Sequence, residues 1–178
     1  RTGSGKSQLL RQLIRNTLPD VADGYARLYG IDLKGGVELA RWAPWMQTGT
    51  CLEYAIAVLE DLDEKREQRN RMLVEQGLDK VEVGRDVPLL VLVVDELAEL
   101  AGGVDKTTRA QQEHARALLD RILRLGRAAG ITVVAASQDP RKESIPLRDR
   151  FPNRIALALG SRDEAVIMMG EDAVRDGC

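Results

Sequence analysis

Apolar residues recur along this chain with two different periods, and the change from one to the other predicts its elements. Between Lys6 and Thr17, Leu9, Leu10, Leu13 and Ile14 have helical spacing, and Leu18-Pro19-Asp20 should end that helix. Thr50 to Gln76 predicts a long helix with Leu52, Ala55, Ile56, Leu59 and Leu62 as its apolar stripe and Gly77 as its stop. Arg109 to Ala129 predicts another, with Ala117, Leu118, Ile122 and Leu125 facing inward. Pro88 to Val94 (PLLVLVV) is instead a continuous apolar run rich in β-branched residues, which suits a strand covered on both faces of a parallel sheet. Tyr25 to Asp32, Ile131 to Ser137 and Ile155 to Leu159 read as further strands, Lys34-Gly35-Gly36 as a turn, and Val37 to Trp45 as holding a short helix before Pro44. Ser161 and Glu164 have capping-box spacing for a last helix through Met168. Strands alternating with helices predict a three-layer α/β domain whose sheet is mostly parallel, with Pro88 to Val94 at its centre.

Composition narrows this picture without redirecting it. The 178 residues suit one domain, and 44% hydrophobic with 30% charged residues is ordinary for a globular chain. Aromatic residues are only 3%, so the core must be aliphatic. Net charge is 26 − 28 = −2, so no global basic field attracts nucleic acid, and such contacts would come from local loops or a partner. Cys51 and Cys178 form no disulfide framework, which fits a reducing compartment. No apolar run approaches the ~20 residues that span a bilayer.

The chemistry begins at the first residue. Arg1-Thr2-Gly3-Ser4-Gly5-Lys6-Ser7 is the end of a G-x-x-x-x-G-K-[ST] phosphate loop. The first glycine of that motif would precede Arg1, so the chain is expected to be a piece of a longer protein that lacks the strand leading into the loop. Gly3 and Gly5 allow backbone N–H groups to approach phosphate oxygens. Lys6 can reach the β- and γ-phosphates, the Ser7 hydroxyl can ligate Mg²⁺, and the following helix directs its positive end at the site. Thr2, Gly3, Ser4, Gly5, Lys6, Ser7 and Gln8 are therefore the candidate nucleotide contacts. Asp95-Glu96 supplies the other half. Two carboxylates at the end of a buried strand are costly without a task. In phosphate-loop enzymes the first holds the metal and the second polarises the attacking water, so Ser7 and Asp95 are the candidate metal ligands and Glu96 the candidate catalytic acid.

Three further features leave alternatives open. Gln138, after the strand Ile131 to Ser137, reads as a γ-phosphate sensor or as a loop glutamine. Arg121, Arg124 and Arg127 are spaced i, i+3 and i+6, either as a basic helix end or as a source of an arginine that completes a neighbouring subunit's site. Asp139 to Arg150 carries Arg141, Lys142, Arg148 and Arg150, a phosphate-touching loop or a balanced charged surface. Lys65 to Arg71 reads as a solvated helix face and His114 as exposed.

These blocks together resemble the FtsK/SpoIIIE family of DNA translocases. The resemblance rests on Thr2-Gly3-Ser4-Gly5-Lys6-Ser7, on Asp95-Glu96-Leu97-Ala98-Glu99-Leu100, on Gly126-Arg127-Ala128-Ala129-Gly130-Ile131 and on Ala136-Ser137-Gln138-Asp139-Pro140. Asp32-Leu33-Lys34-Gly35-Gly36-Val37-Glu38-Leu39 looks like the family's D-P-K-x-x-E-L segment, with Leu33 in place of proline. The resemblance implies one RecA-like ATPase domain over residues 1–178, with ATP and Mg²⁺ at the subunit interfaces of a hexameric ring around double-stranded DNA. It implies a membrane-anchored bacterial parent protein with this domain on the cytoplasmic face, in chromosome segregation at cell division or in conjugative transfer. It places Arg127 at the position of the trans-acting arginine. Relatives with the same core move protein in type VII secretion, and a degenerate subunit that binds nucleotide as an assembly switch is a third reading. Lys6, Ser7, Asp95 and Glu96, all intact, argue against the third.

Overall fold

A computed structural model describes residues 5–100, 106–138 and 147–176. Its elements are α1 (Lys6–Ala22), β1 (Ala26–Ile31), β2 (Met46–Gly49), α2 (Leu52–Gln76), β3 (Leu89–Val94), α3 (Lys106–Leu125), β4 (Ile131–Ala135), α4 (Arg162–Met169) and α5 (Glu171–Arg175). Single 3-10 turns lie at Ala40–Trp42, Leu97–Leu100 and Arg148–Arg150. The four strands form one sheet in the order β2-β1-β3-β4, and every neighbouring pair is parallel.

The side-chain alternation of β3 divides the core in two. Leu90, Leu92 and Val94 face a cluster built with Ala55, Leu59 and Leu62 of α2 and Leu118, Leu119 and Ile122 of α3. Val91 and Val93 face the opposite cluster, which contains Leu10 and Ile14 of α1 with Leu39, Trp42 and Met46. The sheet therefore lies between two helical layers, as the apolar run predicts, and β3 is central and covered on both faces. Truncating Leu92, which is fully buried, should remove about 2–5 kcal/mol from a total stability of about 5–15 kcal/mol. A Leu92→Ala urea midpoint close to wild type would contradict this packing.

Five expectations need correction. Helix α1 continues through Pro19 to Ala22, because Leu18 and Val21 extend its apolar stripe onto the second core cluster. Val37 to Trp45 holds only the 3-10 turn at Ala40–Trp42, followed by β2 in a stretch (MQTG) with no strand-forming run to reveal it. Ile155 to Leu159 is not a strand: Ile155 is exposed and Ala158 has φ 48°, which breaks an extended path. The segment instead lines a cavity of about 640 Å³ beside β4 and α1. Lys65 to Arg71 is not simply solvated. Arg66 is buried against Asp63 at 2.7 Å, and Arg69 donates to the carbonyls of Ala129 (2.7 Å) and Pro88 (2.8 Å). Helix α3 ends at Leu125, so Arg127 sits in the turn that follows it.

Other expectations hold. Gly77 ends α2. Ser161 caps the last helix as expected, its Oγ accepting the Glu164 N–H at 3.2 Å, while the Glu164 carboxylate accepts the N–H of Gly160, one residue before the N-cap, rather than that of Ser161 itself. His114 is exposed and pairs with Glu60. Among the described residues, no helix is long and apolar enough to cross a membrane.

Candidate nucleotide site

The sheet register brings Ile31, Gly49, Val94 and Ala135 to one edge. The residues that follow the first, third and fourth of these, Asp32, Asp95 and Glu96, and Ser137 and Gln138, therefore converge at the carboxyl ends of three parallel strands. Open parallel sheets place ligands at this edge. Helix α1 presents its N-terminus to the same edge. Gly5, immediately before it, has φ 89°, a left-handed conformation open to glycine. Among the described residues, no atom beyond its chain neighbours lies within 4 Å of the position a Cβ would take there.

Paired charges organise the site. Lys6 Nζ donates to Asp95 Oδ1 at 2.7 Å and to the Asp95 carbonyl at 2.9 Å. Asp95 and Glu96 are 4% and 3% exposed, so both carboxylates depend on protein partners. Glu96 Oε1 accepts from Ser137 Oγ at 2.7 Å, and the Gln138 backbone N–H lies 3.2 Å from both carboxylate oxygens. Lys34 Nζ completes the shell at 3.2 Å from Glu96 Oε2 and reaches Glu99 at 3.8 Å. On the α1 side, the Ser7 hydroxyl donates to Glu38 Oε1 at 3.0 Å, and Arg11 donates to Glu38 Oε2 at 3.1 Å. Burial alone would raise the Glu38 pKa. The Ser7 hydrogen bond, Arg11 and Arg41 outweigh it and hold the carboxyl below its ordinary value.

Several sequence-predicted residues meet here: Gly5, Lys6 and Ser7 at the α1 end, and Asp95, Glu96 and the Gln138 backbone at the strand ends. Gln8 is exposed on the first turn of α1. Thr2, Gly3 and Ser4 lie outside the described residues, as do Asp139 to Pro146 with Arg141 and Lys142. Arg127 is not part of the cluster. It is exposed in the turn that feeds the amino end of β4, so the length of that strand separates it from Asp95 and Ser137. Sequence reasoning assigned no role to Lys34, Glu38 or Ser137. The available signal was charge directly after a predicted strand: Asp32, Lys34 and Glu38 all follow the carboxyl end of β1. Leu33, where the resembled segment has proline, packs against the larger core cluster.

A lysine at a helix N-terminus on an acid at the end of a buried parallel strand, with a second acid beside it, defines the class: a phosphate-loop NTPase fold. Comparisons with known proteins make this more specific. The FtsK/SpoIIIE family model matches residues 1–87. Protein Tra of Streptomyces lividans is 29% identical over 191 residues, covering 99% of this chain and 30% of Tra. DNA translocase FtsK of Staphylococcus aureus is 29% identical over 190 residues, covering 95% of this chain and 23% of that protein. The pCW3 conjugation coupling protein TcpA, solved as a monomer with ATPγS, superposes with TM-score 0.83 at 28% identity, over 99% of this chain and 52% of that one. The type VII secretion ATPase EccC of Thermomonospora curvata, at 23% identity and TM-score 0.67, shares the fold over 99% of this chain and 22% of its own. The chain thus resembles the FtsK/SpoIIIE family, whose model matches residues 1–87, and it has a RecA-like P-loop ATPase fold. It spans less than a third of the length of the curated relatives named here.

Proposed function

We propose that this domain hydrolyses ATP with Mg²⁺ to drive double-stranded DNA through a ring of identical subunits. The observation that carries the nucleotide reading is the Lys6–Asp95–Glu96 arrangement, in which the loop lysine and both strand-end acids meet at one sheet edge. The DNA reading draws on the relative named DNA translocase FtsK, and the conjugative alternative within it on the conjugation coupling protein TcpA. Membrane anchoring of the whole protein and a hexameric ring are part of the same proposal. The roles in conjugation and in chromosome segregation both remain within it.

The residues present fit a metal-bound triphosphate. Among the described residues, nothing fills the space beside Gly5. Ser7 donates its hydroxyl hydrogen bond to Glu38, which leaves the oxygen lone pairs available to a cation. Among the described residues, no group of three or more His, Cys, Asp and Glu side chains could hold a metal, so a cation here would rely on Ser7, Asp95 and the oxygens of the substrate. When bound, Mg²⁺ supplies charge neutralisation on the β- and γ-phosphates.

The side chains then divide the work. Lys6 would exchange Asp95 for phosphate oxygens, and the Asp95 carboxylate would then be among the groups able to hold Mg²⁺. Glu96, fixed by Ser137 and the Gln138 N–H, orients a water and takes its proton. The water oxygen bonds to the γ-phosphorus as the bond to the bridging oxygen breaks. Because Gln138 follows β4 and touches Glu96 through its backbone, it is the candidate link between phosphate state and the residues after it. Arg127 is the candidate arginine supplied to a neighbour.

The test is hydrolysis by the intact protein with and without duplex DNA. Wild type should be stimulated by DNA, and Lys6→Ala should lose triphosphate binding. Robust hydrolysis indifferent to duplex DNA but raised by a protein substrate would favour the secretion reading. EccC supports that reading through fold alone.

A further inference from the structure

Between β1 and the 3-10 turn Ala40–Trp42 the chain folds around one buried carboxylate. Asp32 is 1% exposed. Its Oδ1 accepts the Lys34 N–H at 3.2 Å, and its Oδ2 accepts the N–H groups of Glu38 (3.1 Å) and Leu39 (3.2 Å). The Ala40 N–H closes on the Gly36 carbonyl at 2.9 Å. Gly36, at φ 78°, passes so close to Thr50 that a Cβ would lie 2.6 Å from its Cγ2. The turn owes its shape to these internal contacts, so it is formed before any ligand arrives.

From this one turn two side chains of opposite charge reach the two ends of the nucleotide site. Glu38 accepts the hydrogen bond of the Ser7 hydroxyl, and Lys34 pairs with Glu96. We propose that the Asp32–Leu39 turn is a positioning element with two separable actions: Glu38 aims the Ser7 hydroxyl at the metal, and Lys34 sets the Glu96 carboxylate for water. This inference rests on the ATP-hydrolysis reading above.

The first action follows from the donor arrangement. A serine hydroxyl can rotate freely, but a hydroxyl whose proton is held by a carboxylate presents its lone pairs in a fixed direction. Arg11 holds that carboxylate from the other side, and groups behind metal ligands are worth about 10–100-fold in metal affinity or activity. The second action follows from burial. The Glu96 side chain is 2% exposed while that of Lys34 is 39% exposed. The lysine can therefore shift between Glu96 and Glu99 without disturbing the core, and can release a Glu96 oxygen when water enters. Lys34 and Glu38 touch different partners, Glu96 and Ser7, so their loss should be felt at different stages of the cycle.

The experiment measures ATPγS binding to the intact protein in EDTA and in MgCl₂, together with steady-state ATP hydrolysis. Glu38→Ala and Glu38→Gln should bind ATPγS in EDTA as wild type does, which also shows that they are folded. The alanine variant should lose about tenfold or more of the gain produced by Mg²⁺, and the glutamine variant, which keeps an acceptor, should lose less. Lys34→Met should bind ATPγS like wild type with and without Mg²⁺ but lower kcat by up to about 10²-fold, the low end of what a positioned general base contributes, at nearly unchanged KM, and Lys34→Arg should recover part of that loss. If wild type binds and hydrolyses nucleotide while these variants match it, or all lose the same parameter, the positioning role falls and the nucleotide reading survives. If wild type binds no ATPγS at all, both fall together.

Discussion

Glu96→Gln should stop ATP hydrolysis and leave nucleotide binding intact, the largest effect expected of any change inside one subunit. The substitution conserves shape in a position that is 3% exposed, so the core of β3 should not collapse. Its present partners are donors: Ser137 Oγ, the Gln138 N–H and Lys34 Nζ. An amide oxygen can keep one or two of them, and the exposed Lys34 can turn to Glu99. What the amide cannot do is take a proton from water. Losing a positioned general base typically costs about 10²–10⁴-fold, while phosphate contacts through Lys6 and the loop are unaffected. Phosphate release under saturating ATP, beside an ATPγS titration, separates the two properties. Hydrolysis within a few-fold of wild type would remove Glu96 from the mechanism and leave Lys34 without a catalytic partner.

The parts of this molecule legible in the sequence are those whose energetics are local or uniformly apolar. Leu89 to Val94 is fully apolar because both of its faces are covered, and the run of residue types reports that directly. Asp95 and Glu96 stood out because ionised groups next to such a strand need a purpose. Strand β2 did not, because its pairing with β1 depends on Gly30 allowing a close approach. A Cβ at Gly30 would meet Met46 Sδ at 2.6 Å and Thr48 Cγ2 at 3.1 Å, a relation between distant residues that no local pattern carries. Ile155 to Leu159 failed in the opposite way: it alternates like a strand but pairs with none among the described strands.

Paired charges were misread for a related reason. Arg66 and Arg69 have the composition of a solvated face, yet Asp63 neutralises one, and carbonyls at the amino edge of the sheet take up the other. Arg121 adds to the same acid, bonding Asp63 at 2.9 Å from α3. The site shows both behaviours. Its loop and strand-end acids were visible as motifs, whereas Lys34 and Glu38 acquire meaning only when β1 is placed beside β3.

The ring reading makes its sharpest prediction at Arg127. Arg127→Ala should lower hydrolysis by an assembled ring without weakening ATPγS binding to a single subunit. In well-studied enzymes an arginine supplied in trans contributes about 10³–10⁵ in rate, because the charge developing on the γ-phosphate needs a cation that one subunit lacks. The local structure suits presentation to a neighbour. Arg127 is exposed and has no ion-pair partner among the described residues, yet the turn that carries it is held firmly. Val81 N–H bonds the Ala128 carbonyl at 2.9 Å, and Arg69 bonds that of Ala129 at 2.7 Å. Gly126 leaves no room for a Cβ, which would lie 2.5 Å from the Ile122 carbonyl oxygen. The five residues of β4, at about 3.3 Å each, keep Arg127 from serving its own chain's Glu96. Mixing Arg127→Ala subunits with Glu96→Gln subunits should therefore restore part of the activity, since some interfaces then join an intact Glu96 to an intact Arg127. Mixed rings that recover nothing would defeat the assignment. Arg121 and Arg124 would be poor replacements, because Asp63 and Asp120 of the same chain already hold them at 2.9 and 3.0 Å.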